Sequence, residues 1–191
     1  MKHSYSAGVQ NVRLRPLEER DIESLRIWRN DPEKTAFLRR IGEITPDMQK
    51  KWFEAYLENP DEITFAIEET QELHRLVGSV ALYNFKDGAA EAGKIQIGDD
   101  EAHGRGIAAK SMALAACIGF HYFGLEKIAA SVHQENAAAY RSYLKIGFRA
   151  VGSHEAPMGG REDELELTVR QLRGAVDYLQ EIYFYSGTEP E

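Results

Sequence analysis

The sequence predicts an α/β fold, with a mixed, mostly antiparallel central sheet and helices on both of its faces. Three apolar runs that alternate like strands follow one another between residues 63 and 98, separated by short turns. Helices and strands then alternate from about residue 107 onward, an order that requires a parallel crossover. The length of 191 residues suits one domain, residues 1–191, with its core at about 12–169. The predicted order is β-α-α-β-β-β-α-β-α-β-β, followed by a C-terminal helix.

The composition excludes several classes of protein. The 23 basic and 31 acidic residues give a net charge of −8, which argues against a nucleic-acid partner spread over the whole surface. One cysteine, Cys117, cannot form an intrachain disulfide, and no Cys/His cluster has zinc spacing, so no metal is expected. No apolar segment resembles a signal peptide or a membrane span, so we expect a cytoplasmic protein with no membrane partner.

Two helices are predicted before the main part of the sheet. Alternation over residues 12–15 indicates a strand that ends at Pro16. Apolar residues then recur at helical spacing over residues 22–29, until Asp31-Pro32 stops the helix. A second helix begins where Thr45 can cap its first turn, and it continues to about residue 58.

The remaining strands and helices follow from the same patterns. Residues 63–67, 76–85 and 90–98 are predicted to be antiparallel neighbours, with Lys86-Asp87-Gly88 as a hairpin turn. Beyond them we expect a helix over 107–123, a strand over 127–132, a helix over 137–146, a strand over 148–153, a turn at 157–160 and a strand over 165–169. The first of these helices is apolar on nearly every side, so it should be buried.

The C-terminal segment predicts one more helix. Leu172, Val176, Leu179 and Tyr183 fall near one helical face, which indicates a helix over residues 170–185 and a frayed polar tail over 186–191. A single-domain core has little room for this extra apolar surface. The helix could cover one face of its own sheet, or it could form the symmetric contact of a homodimer.

The first chemical signal is the loop His103-Gly104-Arg105-Gly106, which joins a predicted strand to the buried helix. The first N–H groups of a helix have no intrahelical partners and carry the positive end of its dipole, so this is a place where anions bind. Glycines allow the backbone to close on a pyrophosphate, and Arg105 adds a positive charge. The spacing fits neither a Walker lysine loop nor Gly-x-Gly-x-x-Gly, while an ordinary tight turn would also use two glycines.

A second motif follows the next predicted strand, and the two together resemble the GNAT superfamily of acetyl-coenzyme A-dependent N-acetyltransferases. The family loop reads Gln or Arg, two residues, Gly, one residue, then Gly or Ala. The chain offers Gly106 and Ala108 for the last two positions, whereas His103 departs from the first. The later family segment reads Asn, six residues, Tyr, three residues, Gly-Phe, and it matches Asn136, Tyr143 and Gly147-Phe148.

The resemblance implies a GNAT-like sheet and acetyl-CoA as the cosubstrate, without a metal. The strand before the loop would open, so that the backbone at Ile95 and Ile97 could bind the pantetheine arm, and the Asn136 amide would hold the same arm. The pyrophosphate would lie on the loop and the start of the helix, whose residues are His103, Gly104, Arg105, Gly106, Ile107 and Ala108.

The resemblance also implies direct attack of a primary amine on the thioester. Tyr143 would protonate the departing thiolate, although packing in the core would explain the same residue. Glu91 is the first candidate for the base, with His133, Glu135 and water as rivals, and a strand-edge ion pair is the structural alternative for Glu91.

The acceptor is left open by the sequence. An amino-sugar nucleotide, a polyamine and a protein N-terminus all fit, and the negative charge favours a cationic acceptor only weakly. In the family, helices such as those that carry Trp28 and Trp52 wall the acceptor pocket. A non-catalytic acyl-CoA-binding or regulatory module on the same fold is the alternative function.

Overall fold

The computed structural model describes residues 1–37, 42–157 and 159–185, and its strands form one nine-stranded sheet. The strands are β1 (Ser6–Val9), β2 (Val12–Pro16), β3 (Glu62–Glu69), β4 (Arg75–Lys86), β5 (Ala89–Ile97), β6 (Lys127–His133), β7 (Arg149–Glu155), β8 (Arg161–Thr168) and β9 (Tyr183–Tyr185). The α-helices among the described residues are α1 (Ile22–Asn30), α2 (Pro46–Glu58), α3 (Ile107–Tyr122), α4 (Ala137–Lys145) and α5 (Val169–Ala175).

The strand order across the sheet is β7-β8-β6-β5-β4-β3-β2-β1-β9. Neighbours are antiparallel except β5 and β6, whose parallel pairing follows from the crossover through α3. This parallel ladder is short, since it joins only Ala89–Glu91 to Lys127–Ala129. Beyond Glu91 the two strands separate, and the sheet opens between them.

Helices cover both faces of the sheet, as the sequence predicts. The apolar helix α3 packs against the central strands on one face, and its Met112, Leu114 and Ile118 are fully buried there. On the other face, α1 and α2 pack together over β3 and bury Leu25, Phe53 and a few neighbours in a smaller cluster. The predicted mixed, mostly antiparallel α/β fold is therefore confirmed.

A buried ion pair fixes the start of α1 on β2. Arg15 donates two hydrogen bonds to the carboxylate of Asp21, over 2.6 and 2.8 Å, and a third to Glu68 over 2.7 Å. Both partners of the bidentate pair are almost completely buried. Since two parallel N–H to carboxylate bonds set an orientation as well as a distance, this pair determines how α1 leaves the sheet.

Polar side chains cap α2 and α4, and the cap of α2 at Thr45 is the one that the sequence predicts. The Thr45 side chain accepts a hydrogen bond from the Met48 backbone N–H over 3.3 Å, and the Asn136 side chain accepts one from Ala139 over 3.1 Å. Each bond satisfies one of the N–H groups that a helix start leaves without an intrahelical partner.

The C-terminal prediction is wrong beyond Ala175. The helix α5 begins at Val169, where a last strand was expected to end, and it stops after Ala175 instead of continuing to residue 185. The chain then makes a short 3-10 turn and pairs Tyr183–Tyr185 with β1. Strand β1 itself lies before the first strand that the sequence predicts. The predicted frayed tail over 186–191 and Met158 of the predicted turn lie outside the described residues.

Within the described ranges, none of the helices has both the length and the apolar character needed to cross a membrane.

Candidate functional site

The opening between β5 and β6 forms a cavity of about 530 Å³, here called the splay cavity. One wall consists of Ile95 and Ile97 from β5, and α3 contributes Ala108 and Met112. Asn136 and Tyr143 close the opposite side. The cavity exists because the parallel ladder ends at Glu91, which leaves the later backbone of β5 without a partner strand on this side.

A bulge in β5 accompanies this opening. The register between β4 and β5 shifts between Ser79 and Ala81, and Lys94 takes a left-handed backbone conformation with φ of 49°. Lysine rarely adopts this conformation, because its Cβ approaches the backbone closely there. The bulge therefore re-aims the end of the strand, a role that bulges often have beside functional sites.

The loop that precedes α3 presents its backbone to the open end of the splay cavity. Gly106 is the N-cap of α3 with φ of 72°, and Gly104 has φ of 75°. Apart from the adjacent residues, no atom of the described chain lies within 4 Å of where a Cβ would stand at either glycine, so the space next to this backbone is open. Unpaired N–H groups at the start of a 16-residue helix can bind an anion there.

The charged side chains of this loop have partners of their own. Arg105 donates to the Glu101 carbonyl over 2.7 Å and pairs with the Glu72 carboxylate. His103 lines the splay cavity, and its Nε2 lies 2.9 Å from the Ile97 carbonyl oxygen. An anion that binds Arg105 therefore has to compete with the Glu72 carboxylate and the Glu101 carbonyl for its N–H groups.

Tyr143 projects from α4 into the splay cavity. Its side chain is buried, and its ring packs edge-on against Phe148 with 5.1 Å between ring centroids. Burial, together with the nearby Tyr83, raises the pKa of Tyr143 well above its ordinary value of 10.0. The hydroxyl group is therefore a proton donor throughout the neutral range.

A second cavity, of about 550 Å³, lies on the other face of β5 and is here called the α1–α2 cavity. Side chains alternate along a strand, so Ile95 and Ile97 face the splay cavity while Lys94 faces the second one. Helices α1 and α2 supply an apolar wall that includes Trp52, which is stacked on Tyr56. The further lining residues are Leu25, Arg29, Ile44, Met48, Gln49, Glu62, Thr64, Ser79 and Tyr83.

The two cavities adjoin each other. Phe37 and Gln96 line both of them, and Phe37 also contacts the ring of His133 with 5.6 Å between ring centroids. Gln96 donates to the Trp28 carbonyl over 3.0 Å, which ties β5 to α1. Two cavities of similar volume thus lie next to each other, and a site that brings two reactants together requires such an arrangement.

Comparison with known proteins decides the family. The family model described as an acetyltransferase (GNAT) domain matches residues 11–149 of the chain. The chain belongs to the GNAT acetyltransferase family. It is therefore an acetyl-CoA-dependent acyltransferase, and acetyl-CoA is its cosubstrate. A search of curated protein sequences finds no significant match.

Solved structures show the same fold as this GNAT acetyltransferase. A spermidine N-acetyltransferase from Vibrio cholerae, in complex with CoA and spermine, is 23% identical with a TM-score of 0.74, and the match covers 85% of this chain and 98% of that one. FdhC, described as a nucleotide-linked sugar GNAT, is 20% identical with a TM-score of 0.74, over 90% and 94% of the two chains. Mycobacterium smegmatis RimJ, in complex with CoA-disulfide, is 19% identical with a TM-score of 0.72, over 89% and 92%.

The structure brings most of the predicted cosubstrate residues of the acetyltransferase to one place. The splay cavity is lined by Ile95, Ile97, His103, Ala108, Asn136 and Tyr143. Gly104, Arg105, Gly106 and Ile107 belong to the loop and helix start beside it, although the Ile107 side chain is buried in the core.

The three candidate bases of the acetyltransferase lie outside the lining of both cavities. Glu91 is the last residue of the parallel ladder, and its carboxylate accepts a hydrogen bond from Asn84 over 2.9 Å. Glu91 also pairs with Tyr83 in the β4–β5 register. Burial, together with the carboxylates of Glu91, Glu62 and Glu162, raises the pKa of Tyr83 to about 12.

Both ring nitrogens of His133 are engaged. Its Nδ1 accepts from the Glu135 backbone N–H over 3.3 Å, so Nε2 carries the hydrogen and donates to the Gly159 carbonyl over 3.1 Å. No ring lone pair is then left to accept a further proton without breaking a bond. Glu135 is exposed beyond the end of β6.

Sequence reasoning missed the polar residues of the α1–α2 cavity. Glu62, Tyr83 and Lys94 come from three strands, and none of them forms a recognisable motif. One signal was present, since Lys94 and Gln96 alternate with Ile95 and Ile97. If the isoleucines face the cosubstrate, the residues between them face the opposite side of the sheet.

Proposed function

We propose that this chain transfers the acetyl group of acetyl-CoA to the primary amine of a small molecule. The cosubstrate would occupy the splay cavity, with its pyrophosphate at the start of α3, and the acceptor would occupy the α1–α2 cavity. The observation that carries this assignment is that Phe37 and Gln96 line both cavities. Because the cavities adjoin at these residues, a molecule in one can meet a molecule in the other beside β5.

The residues present fit acetyl-CoA. The positive-φ glycines 104 and 106 leave open space where a Cβ would otherwise approach a phosphate, and the N-terminus of α3 favours negative charge. The Asn136 Oδ1 caps α4, so its Nδ2 group would be the donor to a ligand in the cavity that the residue lines. When bound, acetyl-CoA supplies the acetyl group as a thioester.

Tyr143 is proposed as the acid. Its hydroxyl is protonated at neutral pH, as a phenol with the ordinary pKa of 10.0 already would be, and its side chain lines the splay cavity. When the amine displaces the thiol, Tyr143 Oη gives its proton to the sulfur that leaves. The tyrosine regains a proton from solvent or from the product side before the next turnover.

Glu91 remains the proposed base, and it acts through Tyr83. Tyr83 lines the α1–α2 cavity and lies next to Glu91 in the β4–β5 register. The amine gives its proton to Tyr83 Oη, while the hydroxyl proton of Tyr83 passes to the Glu91 carboxylate. The engaged ring nitrogens of His133 favour Glu91 over that residue.

The size of the α1–α2 cavity supports a small-molecule acceptor over a protein N-terminus. About 550 Å³ holds a molecule of the size of a polyamine or a sugar nucleotide, which are the acceptors named for two of the similar structures. Its wall of apolar and aromatic side chains would enclose the acceptor on the α1 and α2 side.

Release of coenzyme A thiol in the presence of a panel of amines tests the proposal. We expect thiol release that depends on one class of amine, and protection of the protein against heat by acetyl-CoA. Heat protection without thiol release for any amine would instead favour the non-catalytic binding module. Absence of both effects would contradict both functions.

A further inference from the structure

An ion pair forms the polar floor of the α1–α2 cavity. Lys94 Nζ donates to Glu62 Oε2 over 2.5 Å, and Thr64 Oγ1 donates to Glu62 Oε1 over 3.1 Å. The Lys94 ammonium also lies over the ring of Tyr83, 4.9 Å from its centroid. Both carboxylate oxygens of Glu62 thus have partners. The Lys94 ammonium carries three N–H donors, and its bond to Glu62 uses only one of them.

The backbone holds Lys94 where its side chain reaches this floor. Lys94 lies at the bulge of β5 in the left-handed region, with φ of 49°. Glycine or asparagine would take this backbone conformation with less strain. A strained lysine beside a cavity is a reason to look for a role of its side chain in that cavity.

The charges of the cavity do not suit a polycation. Glu62 is the only carboxylate among the described residues that line it, and Lys94 already pairs with this carboxylate. A polyamine would have to displace Lys94 from Glu62 and would then lie beside a lysine of like charge. A ligand with a negative group gains a hydrogen bond from Lys94 and leaves the Glu62 pair intact.

We infer that the acceptor is an amine that also carries an anionic group, a carboxylate or a phosphate, and that Lys94 binds this group. This inference rests on the proposed function. Lys94 then recognises the charge of the acceptor, in a cavity that Arg29 also lines, and the Glu62 carboxylate and the Tyr83 ring hold its ammonium in place. Half of the Lys94 side chain is exposed, and the residue lines the cavity.

Matched acceptor pairs test this inference with the whole chain. The probes are glycine with glycinamide and glucosamine 6-phosphate with glucosamine, so that each pair differs mainly in the anionic group, and spermidine represents a polycation. In the wild type, kcat/KM should favour the anionic member of at least one pair and should be lowest for spermidine. The pair that responds distinguishes a carboxylate from a phosphate.

Lys94→Gln should lower the preference for the anionic probe, measured as a ratio of kcat/KM values, about tenfold or more, which is the loss expected for one charge-assisted hydrogen bond. The loss should appear in KM for the acceptor, whereas KM for acetyl-CoA serves as the measure of an intact cosubstrate site. Comparing variant and wild type on the same pair cancels the difference in amine basicity. Lys94→Asn, which the left-handed backbone accepts readily, gives the same test if the first variant folds poorly.

Lys51→Gln is the matched control, because Lys51 is exposed on α2 and does not line the cavity. It removes the same charge and should leave the preference unchanged. A wild type that prefers spermidine or the uncharged probes, or a Lys94→Gln variant with an unchanged preference, overturns the inference while the transferase function stands. Turnover of no probe at all counts against the proposed function and the inference together.

Discussion

Gly106 shows how much of the proposed cosubstrate site depends on single backbone positions. It caps α3 in the left-handed region, and the space beside it is open. We expect Gly106→Asp to lower acetyl-CoA affinity at least tenfold, because its charge would face the pyrophosphate. Gly106→Asn is the control, since asparagine tolerates this backbone and adds similar volume without charge. Calorimetric titration measures both affinities, and equal values for the two variants would contradict an anion at this position.

Tyr143 is a residue whose proposed role and packing can be separated. Tyr143→Phe keeps the ring that packs against Phe148 and removes only the hydroxyl. Turnover should fall roughly a hundredfold, the usual range for loss of a general acid, with little change in acetyl-CoA affinity. Steady-state kinetics with a saturating acceptor measures the effect. Turnover equal to that of the wild type would leave Tyr143 a packing role alone.

The proposed role of Glu91 as the base predicts how the turnover of the enzyme depends on pH. If Glu91 accepts the amine proton through Tyr83, Glu91→Gln should slow turnover and remove the acidic limb of the kcat profile, which reports groups in the ternary complex. Glu135→Gln, an exposed carboxylate of a rival base, should retain that limb. The assignment would pass to Glu135 if the two variants exchanged these outcomes.

At the scale of elements, the sequence predicted those whose patterns are local. Helix α3 is apolar on nearly every side, and the Thr45 cap marks the start of α2, so the sequence predicts both close to their observed bounds. Strand β1 reads Ser-Ala-Gly-Val, which shows no alternation of apolar and polar residues. Strand β9 exists because it pairs with β1, a contact across almost the whole chain, and no local periodicity reports such pairing. The apolar residues Leu172, Val176 and Leu179 before it repeat at helical spacing, which explains why the sequence predicts a helix there.

The docking of β9 can be measured with a pair of variants. Phe184 is partly buried and stacks on His121, with 4.7 Å between ring centroids. Phe184→Ala should lower the free energy of unfolding by about 1–3 kcal/mol, less than for a fully buried Phe. Tyr185→Ala on the same strand should cost less than about 1 kcal/mol, because its exposed ring contacts Arg13 and the also exposed ring of Tyr183. Similar losses in urea unfolding for both variants would indicate that β9 contributes only through its backbone.

The candidate site also has one part that local sequence patterns predict and one part that they do not. Two spaced motifs predicted the residues around the splay cavity, because glycines, an asparagine cap and a tyrosine recur at fixed separations along the chain. The floor of the α1–α2 cavity joins Glu62 to Lys94, 32 residues apart on β3 and β5, which are not adjacent in the sheet. Only the sheet order brings these two residues together, so spacing in the sequence carries no sign of the pair.

At the scale of the whole molecule, stability in acid depends partly on Glu69. Burial alone would raise its pKa, but hydrogen bonds from Leu73, Glu72, Asn11 and Gln71 lower the pKa from 4.5 to about 2. The unfolded chain therefore binds the proton more readily. The stabilisation is complete above pH 4.5 and is lost as the pH falls toward 2.

Glu69→Gln should remove this dependence. Between pH 5 and pH 3 the wild type should lose roughly 2 kcal/mol more of its unfolding free energy than the variant does. Glu54→Gln, at an exposed position of α2, should behave like the wild type. Urea unfolding at a series of pH values measures the difference, and parallel curves for Glu69→Gln and the wild type would contradict it.

Phe37 and Gln96 line both cavities, and this arrangement affects the order in which the two reactants bind. Each cavity lies on its own face of β5, so neither reactant needs to pass through the space of the other. Both binary complexes should form, and addition should be random in order. A single molecule that joins the sulfur of coenzyme A to the acceptor nitrogen would span both cavities, and its second half would bind at an effective concentration of about millimolar. Such a tethered ligand should bind far more tightly than either half alone.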